Sequence, residues 1–207
     1  MSTHAARLIA PDGCRGLPTP HQRRTRNGAA MPTGPSQHSP NGHLDSRRFR
    51  QVLGRFATGV VAITAVDPLS GRPCGLAANS FTSVSLDPPL VAFCVAHTST
   101  SWPKVRTAKV VTVNVLAETQ QDVCAQMASK GGDKFAGLDW TGSPGGNPVL
   151  DGALAWLDCV VEAEHVAGDH MIVVARVHQL DTLAEGGPLL FFRGGYGSFN
   201  GGFLEPS

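Results

Sequence analysis

Between residues 60 and 192 the chain is written in short β-branched and apolar runs, each closed by a turn signal, and this punctuation constrains the fold more than any other feature. The runs fall at 60–66, 75–84, 90–95, 110–116, 154–165, 171–180 and 189–192, and each reads as a strand. Asp67-Pro68-Leu69-Ser70-Gly71 separates the first two as the turn of a hairpin, Asp87-Pro88-Pro89 breaks the chain before the third, and Ala167-Gly168-Asp169 joins the two longest. Helical signals are few. Asp45 and Ser46 are N-cap types ahead of Phe49, Val52, Leu53 and Phe56 at three-four spacing. Ser99 to Ser101 cap a short helix through Trp102 and Val105, and Thr119 with Asp122 has the spacing of a capping box opening a helix through Val123, Met127 and Ala128. A Gly-rich loop follows over 131–147. Strands that do not alternate regularly with helices point away from a parallel doubly wound sheet. They point to a mainly β fold, a closed antiparallel barrel with a few peripheral α-helices, because closure removes exposed strand edges.

The first 43 residues have a different texture, dominated by Pro, Gly, Ser, Thr, Arg and His. Such a stretch buries too little apolar surface to offset its ordering entropy, so 1–43 is expected to be a disordered tail and 44–207 one folded domain. Arg23, Arg24 and Arg26 form a small basic cluster in the tail, which reads as a solvated segment or, alternatively, a docking segment. Over the whole chain of 207 residues a hydrophobic share of 42% and a charged share of 16% describe an ordinary globular protein. A net charge of +1 supplies no field for nucleic acid or an anionic membrane. Five scattered cysteines without a C-x-x-C pair suggest neither a disulfide framework nor a zinc site, and read as reduced thiols. With no apolar run near the roughly 18 residues of a membrane span and no secretory signal, the cytoplasm is the expected location.

Several catalytic patterns are missing. Gly194-Gly195-Tyr196-Gly197 leads into a polar tail and not into a helix, so it lacks the dinucleotide-fold context, and Lys130-Gly131-Gly132-Asp133-Lys134 has the wrong spacing for a phosphate loop. Neither H-E-x-x-H nor G-x-S-x-G occurs, and no metal site is expected. Three features carry chemistry instead. Ala77-Ala78-Asn79-Ser80-Phe81-Thr82-Ser83-Val84-Ser85 is a strand of small and hydroxyl residues against whose backbone a ligand can lie, or else a polar-tolerant edge strand. His97-Thr98-Ser99-Thr100-Ser101-Trp102-Pro103-Lys104 sets hydroxyls, backbone N–H groups and a lysine at a helix start, suited to a phosphate or simply to capping. Gly168-Asp169-His170 puts a histidine at a turn, facing a pocket or serving the turn alone.

Taken together, Thr58-Gly59-Val60-Val61-Ala62-Ile63-Thr64, Ala78 through Val91 with its Asn79-Ser80-Phe81 and Asp87-Pro88-Pro89, Val113-Asn114-Val115-Leu116 and Gly168-Asp169-His170 resemble the flavin reductase-like family, over about residues 49–199. These are the FMN-binding split barrels that serve two-component flavin monooxygenases. The resemblance implies an NAD(P)H:flavin oxidoreductase that transfers a hydride from NADH or NADPH to FMN or FAD and supplies reduced flavin to a partner monooxygenase. It also implies a homodimer with flavin near the subunit interface. Gly59, Val60, Val61, Ala78, Asn79, Ser80 and Phe81 would line the isoalloxazine and ribityl chain, with Ser83, Val84 and Cys94 nearby. Ser99, Thr100, Ser101 and Trp102 would hold the phosphate region, helped by Lys130. His170 would lie over the flavin beside the nicotinamide, with Tyr196 and Phe191-Phe192-Arg193 completing the nicotinamide site. The absence of a catalytic triad agrees with cofactors that supply the reactivity while the protein supplies positioning. The long tail and the 142–147 loop depart from the family texture. Two alternatives stand beside this reading. One is an FMN oxidase like pyridoxamine-phosphate oxidase, disfavoured by the Gly-Asp-His turn and the Asn-Ser-Phe strand; the other is a flavin-binding module without activity.

Overall fold

The computed structural model describes residues 44–199; the tail at 1–43, with Cys14, lies outside them. In chain order the elements are α1 (Ser46–Leu53), β1 (Thr58–Gly59), β2 (Val61–Val66), β3 (Pro73–Ala78), β4 (Thr82–Leu86), β5 (Pro89–Ala96), α2 (Trp102–Val105), β6 (Val111–Val115), α3 (Gln121–Ala128), β7 (Trp140–Gly142), β8 (Pro148–Leu150), β9 (Ala155–Ala167), β10 (His170–Thr182), β11 (Leu190–Phe192) and β12 (Gly195–Gly197). The protein is mainly β with few helices, as its punctuation indicates. Seven strands form one antiparallel sheet in the order β3-β2-β6-β9-β10-β5-β4, while β1, β11 and β12 form a second small sheet and β7 pairs with β8.

The large sheet curls, so that Leu76 and Ala78 of β3 share one core with Val91, Phe93 and Val95 of β5. Strand β2 shows why its run is continuously apolar. Val61, Ile63 and Ala65 point into that core, while Ala62, with Val60 just before the strand, points to a second cluster formed with Leu116, Cys124, Met127 and Leu189. A strand buried on both faces has no polar alternation to show. Helix α3 lies against the β2–β3 hairpin at Gly75, where an added Cβ would stand 2.9 Å from the Ile63 carbonyl oxygen and 3.1 Å from Met127 Sδ. Only glycine lets the helix come this close.

A buried polar network pins the 143–147 loop and β8 to the sheet. Asn114 Nδ2 donates to Thr64 Oγ1 at 3.1 Å and to the Pro148 carbonyl at 3.3 Å, and its Oδ1 accepts from Leu150 N at 2.8 Å. Asn147 accepts from Val66 N and donates to the Val110 carbonyl, both at 2.9 Å. The buried Asp158 carboxylate accepts from Thr112 Oγ1 and, at 2.7 Å, from Gly145 N. These contacts satisfy backbone groups that the Gly-rich stretch would otherwise leave bare.

Several expectations are corrected. The 75–84 run is two strands and not one: β3 pairs with β2 and β4 pairs with β5, with Asn79-Ser80-Phe81 as the break between them. The expected capping box at Thr119 and Asp122 is replaced by Gln120 at the N-cap of α3. Gln120 spends its side chain elsewhere, accepting from Ala117 N at 3.0 Å and donating to the Asp151 carbonyl at 2.8 Å. The 131–147 loop contains β7, and the short strands β1, β8 and β12 are further additions to the expected set. Cys74, Cys94, Cys124 and Cys159 are free thiols, and burial pushes Cys74 up to about 11 and Cys159 up to about 12. No helix of the described residues is long and apolar enough to cross a membrane.

Candidate functional site

The break between β3 and β4 builds one wall of a cleft. Ser80 Oγ accepts from Cys94 N at 2.8 Å and donates to the Cys94 carbonyl at 3.3 Å. The ladder between β4 and β5 reaches only Thr82 opposite Ala92, so the Ser80 hydroxyl takes up the strand-edge groups of Cys94 that no β4 residue reaches. This holds the small residues Ala77 and Ala78 and the Asn79 amide against the end of β5.

The opposite wall is the turn at 98–101. Ser99 N donates to the Ala96 carbonyl at 2.9 Å and Ser99 Oγ accepts from Trp102 N at 3.2 Å. Trp102 anchors the turn from below, buried edge-to-face on Phe93 with ring centroids 5.6 Å apart. Helix α2 is a single turn of four residues, so hydroxyls and not an extended row of aligned peptide dipoles give this wall its character. The C-terminal end of α3 closes the third side with Ser129 and Lys130, and the whole encloses about 360 Å³.

His170 stands at the rim. Gly168 adopts φ 64°, which the tight turn between β9 and β10 requires and glycine adopts freely. His170 Nδ1 lies 2.7 Å from Asp169 Oδ1, and the Asp169 carbonyl accepts from His97 N at 3.0 Å, tying this turn to the end of β5. The hydrogen bond to His170 and the charge it can carry hold the exposed Asp169 carboxyl below its ordinary value.

Of the residues marked in the sequence, Ala78, Asn79, Ser80, Cys94, Ser99, Thr100, Ser101, Lys130 and His170 come together on this cleft. Trp102 and Phe81 pack with the core behind it, Trp102 with its indole N–H buried and unpaired. Val60 and Val61 are enclosed in the two core clusters, and Gly59 pairs with Leu190 in the small sheet. Ser83 and Val84 lie on the exposed edge strand β4, where Val84 falls at the ladder's irregularity. Tyr196 lies on β12, its hydroxyl accepting from Cys124 Sγ at 3.3 Å and its ring against Phe191. That bond and partial burial push the phenol up to about 12. Phe191, Phe192 and Arg193 form the hairpin leading to it.

Sequence reading missed Lys134. Its Nζ donates to Ser101 Oγ at 2.8 Å, to the Met127 carbonyl at 2.7 Å and to the Gly75 carbonyl at 3.3 Å. Desolvation lowers its pKa from the ordinary lysine value. Lys134 thus sets a positive charge under the hydroxyl turn and turns the Ser101 oxygen into an acceptor, leaving that hydroxyl's proton to donate into the cleft. A nearby glycine pair with a second lysine was the available signal, but only the tertiary contact of 134 with 101 gives it meaning.

A small-residue wall, a turn of hydroxyls over a lysine and a histidine at the rim can hold a flat ring system and an anionic group with a second ring system beside it. Residues 53–200 match the model of the flavin reductase like domain. The chain is 51% identical over 153 residues to the reductase subunit of a flavin-dependent monooxygenase from Rhodococcus jostii, covering 74% of this chain and 77% of that one. It is 50% identical to a flavin reductase of Pseudomonas putida, over 75% of this chain and 91% of that one. Among solved structures, nitrilotriacetate monooxygenase component B from Mycobacterium thermoresistibile superposes with TM-score 0.73 at 43% identity, covering 79% of this chain and 93% of that one. A Streptomyces globisporus NADH:FAD oxidoreductase solved with NAD and FAD fragments gives TM-score 0.70 at 33% identity, over 75% of this chain and 93% of that one.

Proposed function

The chain belongs to the flavin reductase-like family, and from that membership we propose that the cleft between Ser80, the 98–101 turn and His170 is where it reduces flavin with NAD(P)H for a separate monooxygenase. Flavin and the reduced nicotinamide are its two substrates, and the reduced flavin is its product. The observation that carries the reading is the convergence on one cleft of nine residues that the family resemblance marks at separate places in the sequence.

The donor set suits a flavin. Ala77 and Ala78 leave a wall flat enough for a ring system, the Asn79 amide offers both donor and acceptor to ring edges, and the hydroxyls of Ser99, Thr100 and Ser101 with Lys130 and Lys134 suit a phosphate. When both substrates are bound, the nicotinamide supplies the hydride and the flavin accepts it. The protein's own work is to orient. Ser80 fixes the small-residue wall against β5, Lys134 orients the Ser101 hydroxyl, and Asp169 holds the His170 ring at the rim where it bounds the nicotinamide's approach. Nothing here requires a side chain to exchange a proton during the transfer.

Two features of the reading concern assembly. The curl that brings β3 and β5 around one core supports a split barrel closed by side chains. Helix α1 has no buried residue, and its Phe49, Val52 and Leu53, with Phe56 beyond, form an exposed apolar face. A second copy covering that face gives a homodimer. Four cysteines free of disulfides among the described residues support a cytoplasmic setting.

The test is consumption of NADH or NADPH, followed by the nicotinamide's near-ultraviolet absorbance, by protein freed of bound flavin. A rate that rises with added FMN, FAD or riboflavin supports the reductase. Flavin binding without consumption turns the reading to the tight-FMN oxidase or the inactive binding module.

A further inference from the structure

Beside the first cleft lies a second one of about 550 Å³, and the two share Thr100, Ser101 and Lys134. Resting on the reading of the first cleft as the flavin site, we propose that the second cleft receives the adenylyl and diphosphate half of FAD, with Arg72 and Lys104 as the residues that favour FAD over FMN.

The junction decides the direction. With the flavin ring on the Ala77–Asn79 wall, the phosphate that follows the ribityl chain meets the hydroxyls of residues 99–101. A flavin mononucleotide ends there, at the point where the second cleft begins. A dinucleotide continues into it, toward Arg72 on the β2–β3 hairpin and Lys104 on α2.

The charges of the second cleft fit such a tail. Arg72, Lys104 and Lys134 face Asp67 and Asp133, a surplus of positive charge. Both carboxylates are engaged by their own loops. Asp67 accepts from Ser70 Oγ at 2.7 Å and Leu69 N at 3.0 Å, and Asp133 accepts from Phe135 N at 3.0 Å. Arg72 also meets Asp133 at 3.2 Å, but the two side chains are 71% and 49% exposed. An exposed pair of this kind is worth about 0–1 kcal/mol, so a diphosphate can take the guanidinium over at small cost and bind it bidentately. Lys104 makes no ion pair among the described residues. All three N–H groups of Lys134 are already used, so it contributes field and not a new hydrogen bond. Gly131 and Gly132, at φ 74° and 71°, have no atom within 4 Å of where a Cβ would stand, which leaves bare backbone for a flat base.

NAD(P)H carries the same adenylyl diphosphate chemistry. It is the weaker candidate because His170, beside which the nicotinamide approaches, lines the first cleft and not the second.

The experiment compares KM for FAD, FMN and NADH in the full chain and in the double variant Arg72→Glu/Lys104→Glu. The expected result is a lower KM for FAD than for FMN in the original protein. In the variant the ratio of the FAD to the FMN constant rises about tenfold, as loss of two charge-assisted contacts to a diphosphate would give. The milder Arg72→Gln/Lys104→Gln pair, which keeps side-chain length and reverses no charge, shifts the ratio in the same direction if charge reversal impairs folding. A ratio that stays put in both variants, or an NADH constant that rises in place of the FAD constant, overturns the assignment. An original protein that consumes NADH with FMN but not with FAD overturns it too. An original protein that responds to no flavin fails earlier, at the first cleft, and the assignment falls with that reading.

Discussion

At Ser80 the chain leaves one strand and approaches the next, and a single hydroxyl does there what a ladder does elsewhere, bonding both the N–H and the C=O of Cys94. His170 is the residue whose role can be read most sharply from kinetics. In the proposed site it bounds the nicotinamide's approach without a proton to move, so His170→Ala is expected to raise KM for NAD(P)H several-fold while lowering kcat less, measured by steady-state kinetics at saturating flavin. An unchanged KM with an abolished kcat would contradict that role. Residue by residue, the hydroxyl turn and the Gly-Asp-His turn were legible because residue type alone suggests their chemistry. Lys134 was not, since a lysine after two glycines has no assigned work until folding brings it within 2.8 Å of Ser101, 33 positions away. Cys124 bonding Tyr196 is another such case, with 72 positions between them.

Among the elements, the strand runs and the β9–β10 hairpin followed directly from β-branched runs and turn residues. The continuity of 75–84 did not hold, because all of its residues tolerate extended backbone and the break depends on which neighbour each half finds. The lost capping box has a similar cause: Gln120 is needed to bridge Ala117 and Asp151, so the helix begins around it. Where tertiary hydrogen bonds compete with local signals, sequence patterns lose. The network around Asn114 gives this competition a measurable size. Asn114→Ala removes the partner of the buried Leu150 N–H, while Thr64 Oγ1 keeps its 2.6 Å bond to the Pro148 carbonyl. Leaving such a group unsatisfied costs about 1–3 kcal/mol, so the variant is expected to lose stability on that order by urea unfolding. A loss within experimental error would mean that β8 is held without Asn114, by its pairing with β7 and the Thr64 bond to Pro148.

For the whole molecule, the face of α1 is the feature a single chain leaves unexplained. Leu53, at the end of an amphipathic helix that buries nothing of its own, is 55% exposed, and Phe56 just beyond it 76%. Soluble proteins seldom present such a patch without a partner. Light scattering is expected to give twice the chain mass, and Val52→Asp/Phe56→Asp is expected to halve it; a monomeric mass for the unaltered protein would remove the dimer. The long β9–β10 hairpin, the edge strand β4 and the two joined clefts all sit on a sheet whose plan was visible in the spacing of its turns. The assembly of those parts into the proposed flavin site depends on contacts that no spacing announces.

The most direct measurement of the central claim is made without oxygen: flavin and NADH are mixed with catalytic protein, and the flavin's visible absorbance is followed together with the nicotinamide's. The two bands are expected to fade in equal molar amounts at a rate proportional to protein, through many turnovers. Flavin that binds but keeps its colour no less than in protein-free solution would contradict it.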